Sequence, residues 1–387
     1  MGDEEILKLS QVIESGTLTS TKGECVKSLE KKFAQLMGAT HCTASSHGTA
    51  ALHTAIAAVD PEPGDEIITT SITDMGALTP ILYQSAIPFF ADVDPYTYNV
   101  TAETIEKVIS PRTKAIMVTH LFGNPCQMNE IMELARAKNI AVIEDCAQCF
   151  GAEYQGQKLG TIGDIGCFSL QQGKHITAGE GGLCISNNAD YARRMYLFVN
   201  KAWGYGDPNP DHYFLAPNYR MNELTGAVAL AQLEKLDEFV ARRVAIAAAW
   251  DEAFQDLPGV SPPRVHPGNK HTYWKYSLRV DSSKLNGGLD AFAKRLKEQG
   301  VFCAPRYIVK PAFECQVIRD QRTFGESRFP FTLARPEAVD YSREKYAGTY
   351  EALATVLVLP LNERYTAAHV EGVANVVRRT VEELTNG

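Results

Sequence analysis

The sequence predicts an α/β fold with a mostly parallel central sheet flanked by helices, followed by a smaller C-terminal α+β domain. Short apolar segments typical of buried strands alternate with helical patterns through the first half of the chain. A long helical stretch then leads into the loop "PGVSPPRVHPGN", which is rich in proline and glycine. We therefore predict a large domain over residues 1–256 and a small domain over residues 257–387.

The first predicted element is a helix after residue 21. Thr21 and Glu24 have the spacing of a capping box, apolar residues then recur at helical spacing, and Gly38 supplies the stop. Strands are predicted for six segments: "EIITTSI", "IPFFADV", "KAIMVTHLF", "IAVIEDCA", "IGCFSL" and "GLCISN". The helices between them are "ALHTAIAAV", "ETIEKVI", "MNEIMELARAK" and "DYARRMYLFV".

The second half of the chain is predicted to begin with one long helix over residues 222–257. Beyond the proline-rich loop, the segments "YWKYSLRV", "VFCAPRY" and "VLVLPL" are typical of strands. Helices are predicted over residues 289–299 and from residue 365 onward. This order of elements is typical of a compact α+β domain.

Composition excludes several classes of function. The chain has 387 residues and a net charge of -8, and its basic residues are dispersed, so we expect no nucleic acid partner. No apolar run reaches the ~18 residues that a membrane span needs, and we expect a cytoplasmic protein with no membrane partner. Nine cysteines at irregular spacings indicate reduced thiols. Cys146 and Cys149 are more typical of a buried strand end than of a metal or redox pair, and we expect no metal.

The stretch "SSHGTAAL", residues 45–52, predicts a site for an anion. A polar turn with a glycine leads directly into an apolar helix, whose first N–H groups and dipole attract negative charge. Gly48 would let the backbone approach the anion closely, and the Thr49 hydroxyl would add a donor. The alternative is an ordinary helix start, because such caps are common.

The stretch "AVIEDCAQCFGA" places a carboxylate at the end of an apolar strand. Burying Asp145 is costly unless it meets a cation or hydrogen-bond donors. A protonated pyridine nitrogen would be such a partner, and this pairing makes pyridoxal 5'-phosphate an effective electron sink. A structural aspartate that caps the following turn is the alternative.

The stretch "FSLQQGKHITAGEGG", residues 168–182, places Lys174 between a strand and a run of glycines. An aldehyde cofactor needs an uncharged amine, and a desolvated lysine can supply one. The glycines would let the chain turn beneath the cofactor, and Ser169 could add a phosphate donor. A lone lysine of this kind is otherwise a solvated surface residue.

A fourth stretch, "APNYRMNELTGAVALAQL", is a polar loop that leads into a long helix. It carries Asn218 and Arg220. From spacing alone, a structural loop explains it equally well.

Taken together, Gly48-Thr49, "EDCAQ", "FSLQQGK" with "TAGEGG", and "NYRMNELTGAVALAQL" resemble motifs of the sugar and cyclitol aminotransferases of the DegT/DnrJ/EryC1/StrS group. The resemblance covers nearly the whole chain. It implies the PLP-dependent transferase fold type I, that of aspartate aminotransferase, with pyridoxal 5'-phosphate as the cofactor.

The resemblance also implies roles for the catalytic and cofactor-binding residues. Lys174 would be the Schiff-base lysine, which also moves protons between C4′ of the cofactor and the substrate carbon. Asp145 would pair with the pyridine nitrogen, and Gln148 would lie near the 3-oxygen. The reaction would move an amino group from glutamate or glutamine to a keto or aldehyde group of a sugar or cyclitol.

The phosphate site implied by the resemblance involves two chains. Gly48, Thr49 and Ser169 would form the phosphate cup, and Asn218 would contact the phosphate of the partner subunit. Each active site would then be shared, so we expect a homodimer.

One departure from the family concerns the side chain over the cofactor ring. Relatives place an aromatic residue in the loop that here reads "SITDMGAL", where this chain has Asp74 and Met75. Met75 could cover the ring as an apolar lid. The stacking residue and any substrate role of Asp74 stay open.

Two other functions fit the same fold. In the family's deoxysugar dehydratases the lysine is replaced by histidine, whereas here Lys174 is present and His175 follows it. The presence of the lysine favours transamination. The third possibility is a non-catalytic regulator, for which neither Lys174 nor Asp145 would be needed.

Overall fold

The computed structural model describes residues 1–386. It contains thirteen strands, β1 to β13 in chain order: His41–Ser45, Glu66–Thr70, Ile87–Ala91, Thr113–Thr119, Ala141–Asp145, Glu153–Tyr154, Gln157–Lys158, Ile165–Ser169, Gly182–Ser186, Val260–Ser261, Lys275–Val280, Ala304–Pro305 and Val356–Pro360. The α-helices within the described residues are α1 to α13: Asp3–Ser15, Cys25–Met37, Gly48–Val59, Met75–Tyr83, Ala102–Glu106, Met128–Lys138, Ala189–Val199, Glu223–Leu233, Leu236–Phe254, Gly288–Glu298, Gln316–Arg319, Ala347–Thr355 and Ala367–Asn386.

Seven strands form the main sheet in the order β1-β9-β8-β5-β4-β2-β3. Strand β9 pairs antiparallel with both of its neighbours, whereas the pairs β8-β5, β5-β4, β4-β2 and β2-β3 are parallel. The prediction of a mostly parallel sheet is confirmed. The carboxyl ends of β1, β2, β5 and β8 consequently lie at the same edge of the sheet, where open α/β sheets bind ligands.

Both faces of this sheet are buried. Along β4, Ile116 and Val118 pack into one apolar cluster, whereas Ala115 and Met117 pack into the cluster on the opposite face. Successive side chains of a strand point to opposite faces, so a sheet covered on both sides needs a continuous apolar run. The strand segments in the sequence have this character.

A second sheet has the strand order β10-β11-β13-β12, and every pair in it is antiparallel. All four strands follow residue 257, and α10 and α13 contribute to the apolar cluster around this sheet. The chain between β12 and β13 returns to the main sheet, where the Ala312 N–H donates to the Ser71 carbonyl at 2.8 Å. The domain boundary at residues 256 and 257 stays a prediction.

Helices α1 and α4 and strand β1 were not predicted, and three details of the sequence prediction are wrong. Helix α2 begins at Cys25 without a capping box of Thr21 and Glu24. The long helix predicted over residues 222–257 is two helices, α8 and α9, which are separated at residues 234 and 235. The predicted strand "VFCAPRY" is reduced to the two residues of β12. Within residues 1–386, no helix combines the length and the apolar character that crossing a membrane requires.

Candidate active site

The strand ends of the main sheet surround a cavity of about 500 Å³. Its walls are formed by the segments that follow β1, β2, β5 and β8. The lining residues are His47, Gly48, Thr49, Leu52, Thr73, Asp74, Gly76, Ala77, Asp145, Ala147, Gln148, Ser169, Gln171, Lys174 and Glu180. The structure therefore brings six of the seven predicted site residues to one cavity, and Asn218 is the exception.

One wall is the amino end of helix α3. The helix begins at Gly48, and the His47 ring caps it by accepting the Ala50 N–H at 2.9 Å. Within residues 1–386, the Gly48 and Thr49 N–H groups have no hydrogen-bond partner. Two free N–H groups at the positive end of a helix dipole attract negative charge, so this helix end suits the anion site that the sequence predicts.

Gly48 also sets how closely α3 approaches β8. A Cβ atom at this position would lie 2.6 Å from the Cβ and 2.7 Å from the Oγ of Ser169, closer than real Cβ contacts. The helix end and the Ser169 hydroxyl can therefore share a small anion only because residue 48 has no side chain.

If the cavity binds pyridoxal 5'-phosphate, as the family resemblance implies, replacement of Gly48 by alanine should weaken that binding. The added methyl group must push α3 away from Ser169, and the predicted phosphate donors then separate. We expect the Kd for pyridoxal 5'-phosphate, measured by equilibrium dialysis, to rise about tenfold or more, equivalent to the loss of one or two hydrogen bonds to a charged group. An Ala58→Gly variant in the same helix is the control, and an unchanged Kd for Gly48→Ala would contradict the phosphate cup.

The carboxylate of Asp145 lies at the carboxyl end of β5 and is buried. One oxygen accepts the Ala147 N–H at 3.1 Å, and the other accepts the Thr119 hydroxyl at 3.3 Å. Burial raises the pKa of Asp145, while the Ala147 N–H and the Lys174 ammonium act in the opposite direction. The Ala147 contact fits the turn-capping alternative, yet the same side chain faces the cavity, where a cation would stabilise its charged form.

The hydrogen bonds of Glu144, the residue before Asp145, indicate a structural role. It is fully buried, and its oxygens accept the His120 Nε2–H at 3.0 Å and the N–H groups of Gly160, Ile162 and Gly163 at 2.7–2.8 Å. His120 and Cys146 bring further potential ligand atoms within 4.8 Å of it. Because the carboxylate already accepts four donors, it orders the loop before β8 and leaves little capacity for a metal ion.

Lys174 lines the cavity from the loop that follows β8. The side chain is half-buried, and its Nζ lies 4.3 Å from the centre of the Trp274 ring. Burial lowers the pKa of Lys174, and the carboxylates of Asp145 and Asp74 oppose this change. A lowered pKa increases the fraction of neutral amine, which is the form that attacks a carbonyl.

His175, the neighbour of Lys174, points away from this cavity. Its ring is buried, and Nε2 donates to the Thr272 carbonyl at 3.0 Å. Lysine, and not histidine, therefore occupies the position that faces Asp145. This distinction is the one on which the choice between transamination and dehydration depends.

Gln148 lines the cavity and is held at both ends. Its Oε1 accepts the Phe122 N–H at 2.7 Å, and its Nε2 lies 3.4 Å from the Tyr307 hydroxyl. Phe122 has a positive φ of 60°. The Gln148 amide is thus fixed in orientation, and Tyr307 is placed near the site by a contact that the sequence did not indicate.

Asp74 is the N-cap of helix α4, where its Oδ1 atom accepts the Gly76 N–H at 2.7 Å. Asp74 lines the cavity, whereas Met75 is not among the lining residues. The suggestion of Met75 as an apolar lid therefore has no contact in its favour, and Asp74 is the member of this pair that faces Lys174.

Comparison with known proteins agrees with this arrangement. Residues 1–339 match the DegT/DnrJ/EryC1/StrS aminotransferase family. The chain belongs to this family. It is 38% identical over 292 residues to GDP-perosamine synthase of Caulobacter vibrioides, a match that covers 75% of this chain and 78% of the relative. It is 34% identical to the spore coat polysaccharide biosynthesis protein SpsC of Bacillus subtilis, over 99% of this chain and 95% of that protein.

Solved structures of other proteins have the same architecture as this DegT/DnrJ/EryC1/StrS aminotransferase. The aminotransferase TlmJ of Streptoalloteichus hindustanus superposes with a TM-score of 0.85 at 27% identity, over 99% of this chain and 97% of that one. The predicted fold of the PLP-dependent transferases of type I is confirmed. The prediction that the chain is an aminotransferase enzyme is likewise confirmed.

The remaining predicted residue of the aminotransferase, Asn218, lies outside the cavity. It is exposed on the loop before α8, where its Oδ1 lies 3.4 Å from the Arg220 nitrogen. The same loop passes the amino end of α3, because the Ser46 N–H donates to the Tyr219 carbonyl at 2.8 Å. Asn218 therefore does not serve the cavity of its own chain, and its role in a partner's cavity stays a prediction.

The sequence analysis missed Trp274 as a residue of the site. The residue stands just before β11, and its position in an apolar strand pattern concealed its contact with Lys174. The contact joins residues that are 100 positions apart, so no local spacing could have indicated it.

Proposed function

We propose that this family member binds pyridoxal 5'-phosphate and transfers an amino group to the keto or aldehyde carbon of a sugar or cyclitol. One observation carries the proposal. The cavity combines a half-buried amine, a buried carboxylate and a helix end with two free N–H groups, the three features that an aldehyde, a pyridine nitrogen and a phosphate require.

The residues of the cavity fit the cofactor in charge and in shape. Because Gly48 has no side chain, the Ser169 hydroxyl lies close to the amino end of α3, where the free N–H groups of the helix suit the charge of a phosphate. The buried carboxylate of Asp145 would regain through a ring N–H⁺ the stabilisation that it loses on leaving water. These groups lie on three different strand ends of one sheet edge, which a cofactor can span.

When bound, pyridoxal 5'-phosphate would supply an aldehyde carbon and an electron-withdrawing ring. Lys174 would provide the neutral amine for that carbon, and burial prepares it by lowering its pKa. Once displaced by a substrate amine, Lys174 would move a proton between C4′ and the substrate carbon as a general acid and base. Asp145 would keep the proton on the pyridine nitrogen, and Gln148 would orient the ring at its 3-oxygen.

The relatives support a sugar as the acceptor. GDP-perosamine synthases of Caulobacter vibrioides and of Escherichia coli O157:H7 are 38% and 39% identical to this chain. By name they make a nucleotide-linked amino sugar, so we propose nucleotide-linked keto-sugars as the first acceptors to be tested. Glutamate or glutamine is the proposed amino donor.

The experiment is a product analysis with glutamate and candidate keto-sugars. We expect the formation of 2-oxoglutarate and of an amino sugar in equal amounts, measured by mass spectrometry. Loss of water from the sugar without 2-oxoglutarate would instead favour a dehydratase. The absence of any half-reaction with amino donors would favour a non-catalytic regulator.

We also propose a cytoplasmic homodimer with shared active sites. All nine cysteines, each within the described residues, are free thiols, which supports a reducing compartment. The exposed position of Asn218 supports its contribution to a neighbouring cavity. Apolar side chains exposed on α1, among them Ile6 and Ile13, are 62% and 65% exposed and would suit an interface.

Subunit complementation tests the shared sites. A Lys174→Ala chain and an Asn218→Asp chain should each be inactive, the second because a carboxylate would repel the phosphate. Co-expression of the two chains should restore about a quarter of the wild-type activity, because half of the dimers are mixed and each mixed dimer has one intact site. Co-expression without recovery would show that Asn218 does not act across an interface.

A further inference from the structure

The amine of Lys174 contacts the ring of Trp274, a residue that immediately precedes a strand of the second sheet. Trp274 precedes β11 of the second sheet, and its ring centre lies 4.3 Å from the Lys174 Nζ. An ammonium group within about 6 Å of an indole face is attracted by the ring quadrupole, and tryptophan is the strongest partner for this contact. Both residues are half-buried, so solvent screens the attraction only in part.

The Trp274 ring is tied to the segment that carries Lys174. Its indole N–H donates to the Gly173 carbonyl at 2.6 Å, and its backbone N–H donates to the Phe122 carbonyl at 2.7 Å. The Trp274 carbonyl accepts from Arg243 at 3.3 Å. These hydrogen bonds fix the Trp274 ring relative to the loop that carries Lys174 and to the loop of Phe122, which orients Gln148.

A second lysine contacts the same ring. The Nζ of Lys275 lies 5.0 Å from the ring centre and is also half-buried. The charged or titratable groups that act on Lys174 are the carboxylates of Asp145 and Asp74, the ammonium of Lys275 and the thiol of Cys149. The carboxylates and the ring favour the ammonium form of Lys174, whereas Lys275 and burial disfavour it.

We propose that Trp274 is a positioning residue that holds the ammonium of Lys174 at the cavity wall whenever this amine is not covalently engaged. The functional benefit of this contact rests on the proposed function, because the Lys174 amine would have to leave the cofactor carbon and return to it in each half-reaction. The contact itself is a property of the chain and does not depend on the cofactor. A held amine would return to the same carbon instead of sampling solvent.

The contact with the Trp274 ring should change the pKa of Lys174 in a definite direction. Because the ring stabilises only the charged amine, its replacement by an apolar side chain that keeps the amine buried should lower the pKa of Lys174 and increase the fraction of neutral amine at a given pH. Loss of the Lys275 charge must have the opposite effect, because a nearby positive charge disfavours the ammonium form. Replacement of the two adjacent residues Trp274 and Lys275 should therefore shift the pKa of Lys174 in opposite directions.

The test measures the reactivity of Lys174 in the full chain without added cofactor. Trace acetic anhydride labels each lysine in proportion to its neutral fraction, and peptide mass spectrometry quantifies each site across pH 6 to 11. We expect Trp274→Met to increase the labelling of Lys174 at pH 8 by about two- to tenfold and to shift its pH profile downward. Trp274→Phe, which keeps an aromatic ring, should recover most of the wild-type profile, and Lys275→Met should shift the profile upward.

Several controls separate this contact from a general loss of structure. The exposed residue Lys138 on α6 supplies an internal labelling standard, and Trp203→Met is the matched tryptophan variant. If Trp274→Met does not fold, wild-type chain containing 5-fluorotryptophan gives the answer, because fluorination weakens the ring quadrupole at nearly constant shape. Its Lys174 pH profile should also shift downward.

Equal Lys174 profiles for wild type and Trp274→Met, or for the fluorinated chain, would overturn the proposal. So would a Trp274→Phe profile that matches Trp274→Met. Failure of the proposed function would look different, since the labelling shifts would be present while pyridoxal 5'-phosphate failed to bind.

Discussion

Replacement of Lys174 by alanine is expected to reduce transamination about 10³-fold or more, because the variant loses both the attacking amine and the group that moves the proton. Lys174→Arg should be equally inactive, since a guanidinium stays charged and cannot attack an aldehyde. The measurement is the single-turnover half-reaction with glutamate. Lys138→Ala, which removes an exposed lysine on α6, should retain full activity.

Stability should change little in the Lys174 variants. The side chain forms no hydrogen bond through Nζ within the described residues, and the loss of its attraction to Trp274, Asp145 and Asp74 is offset by the removal of a buried amine that is costly to charge. We therefore expect the urea midpoint to stay close to that of the wild type. A folded Lys174→Ala protein that retained a tenth of the activity would contradict the assigned role.

Replacement of Asp145 by asparagine is expected to lower kcat about 10²- to 10³-fold, the scale seen when one preorganised electrostatic contact is removed from a transition state. The amide has the same shape but no charge, so it cannot keep a proton on a pyridine nitrogen. The measurement is kcat for both half-reactions, together with the urea midpoint. We expect folding to be retained, because burial already disfavours the charged carboxylate at this site.

Glu144→Gln is the matched comparison for Asp145→Asn. The two acidic residues are adjacent, but Glu144 accepts four donors within the protein. An amide can accept through only one oxygen and would bring N–H groups against donors, so we expect a loss of about 2–4 kcal/mol of unfolding free energy. If Asp145→Asn lost stability and kept its kcat, the two roles would have to be exchanged.

The sequence predicted well what depends on local pattern. Six of the seven strands of the main sheet are short apolar runs, and their observed limits differ from the predicted ones by a few residues at most, whereas β1 was not predicted. Six of the predicted site residues follow such strands or begin a helix, and parallel strands end at one sheet edge. Their clustering in one cavity could therefore be inferred before the structure was known.

What the sequence did not predict depends on contacts between distant residues. Helix α2 is capped by Glu223, whose carboxylate accepts the Cys25 N–H at 2.7 Å and the Val26 N–H at 3.1 Å across almost 200 residues. Gly23 is required there, since a Cβ would lie 2.1 Å from the Glu223 carboxyl carbon. The capping box of Thr21 and Glu24 satisfied the local rule, but this tertiary contact replaced it.

The same reasoning explains the missed parts of the site. Trp274 and Tyr307 reach Lys174 and Gln148 from beyond the proline-rich loop, through segments whose own patterns are those of ordinary strands and loops. Tyr307 and its neighbour Arg306 both have positive φ angles, of 51° and 64°. Such conformations are uncommon for these residue types and have no signature in sequence.

The central claim is that one amine, Lys174, forms the covalent link to pyridoxal 5'-phosphate beside the carboxylate of Asp145. Borohydride reduction of the purified protein, followed by peptide mapping, tests it most directly. We predict a single pyridoxyl adduct on the peptide that contains residues 168–182, located at Lys174. An adduct on any other lysine, or none at all in a protein that binds the cofactor, would contradict it.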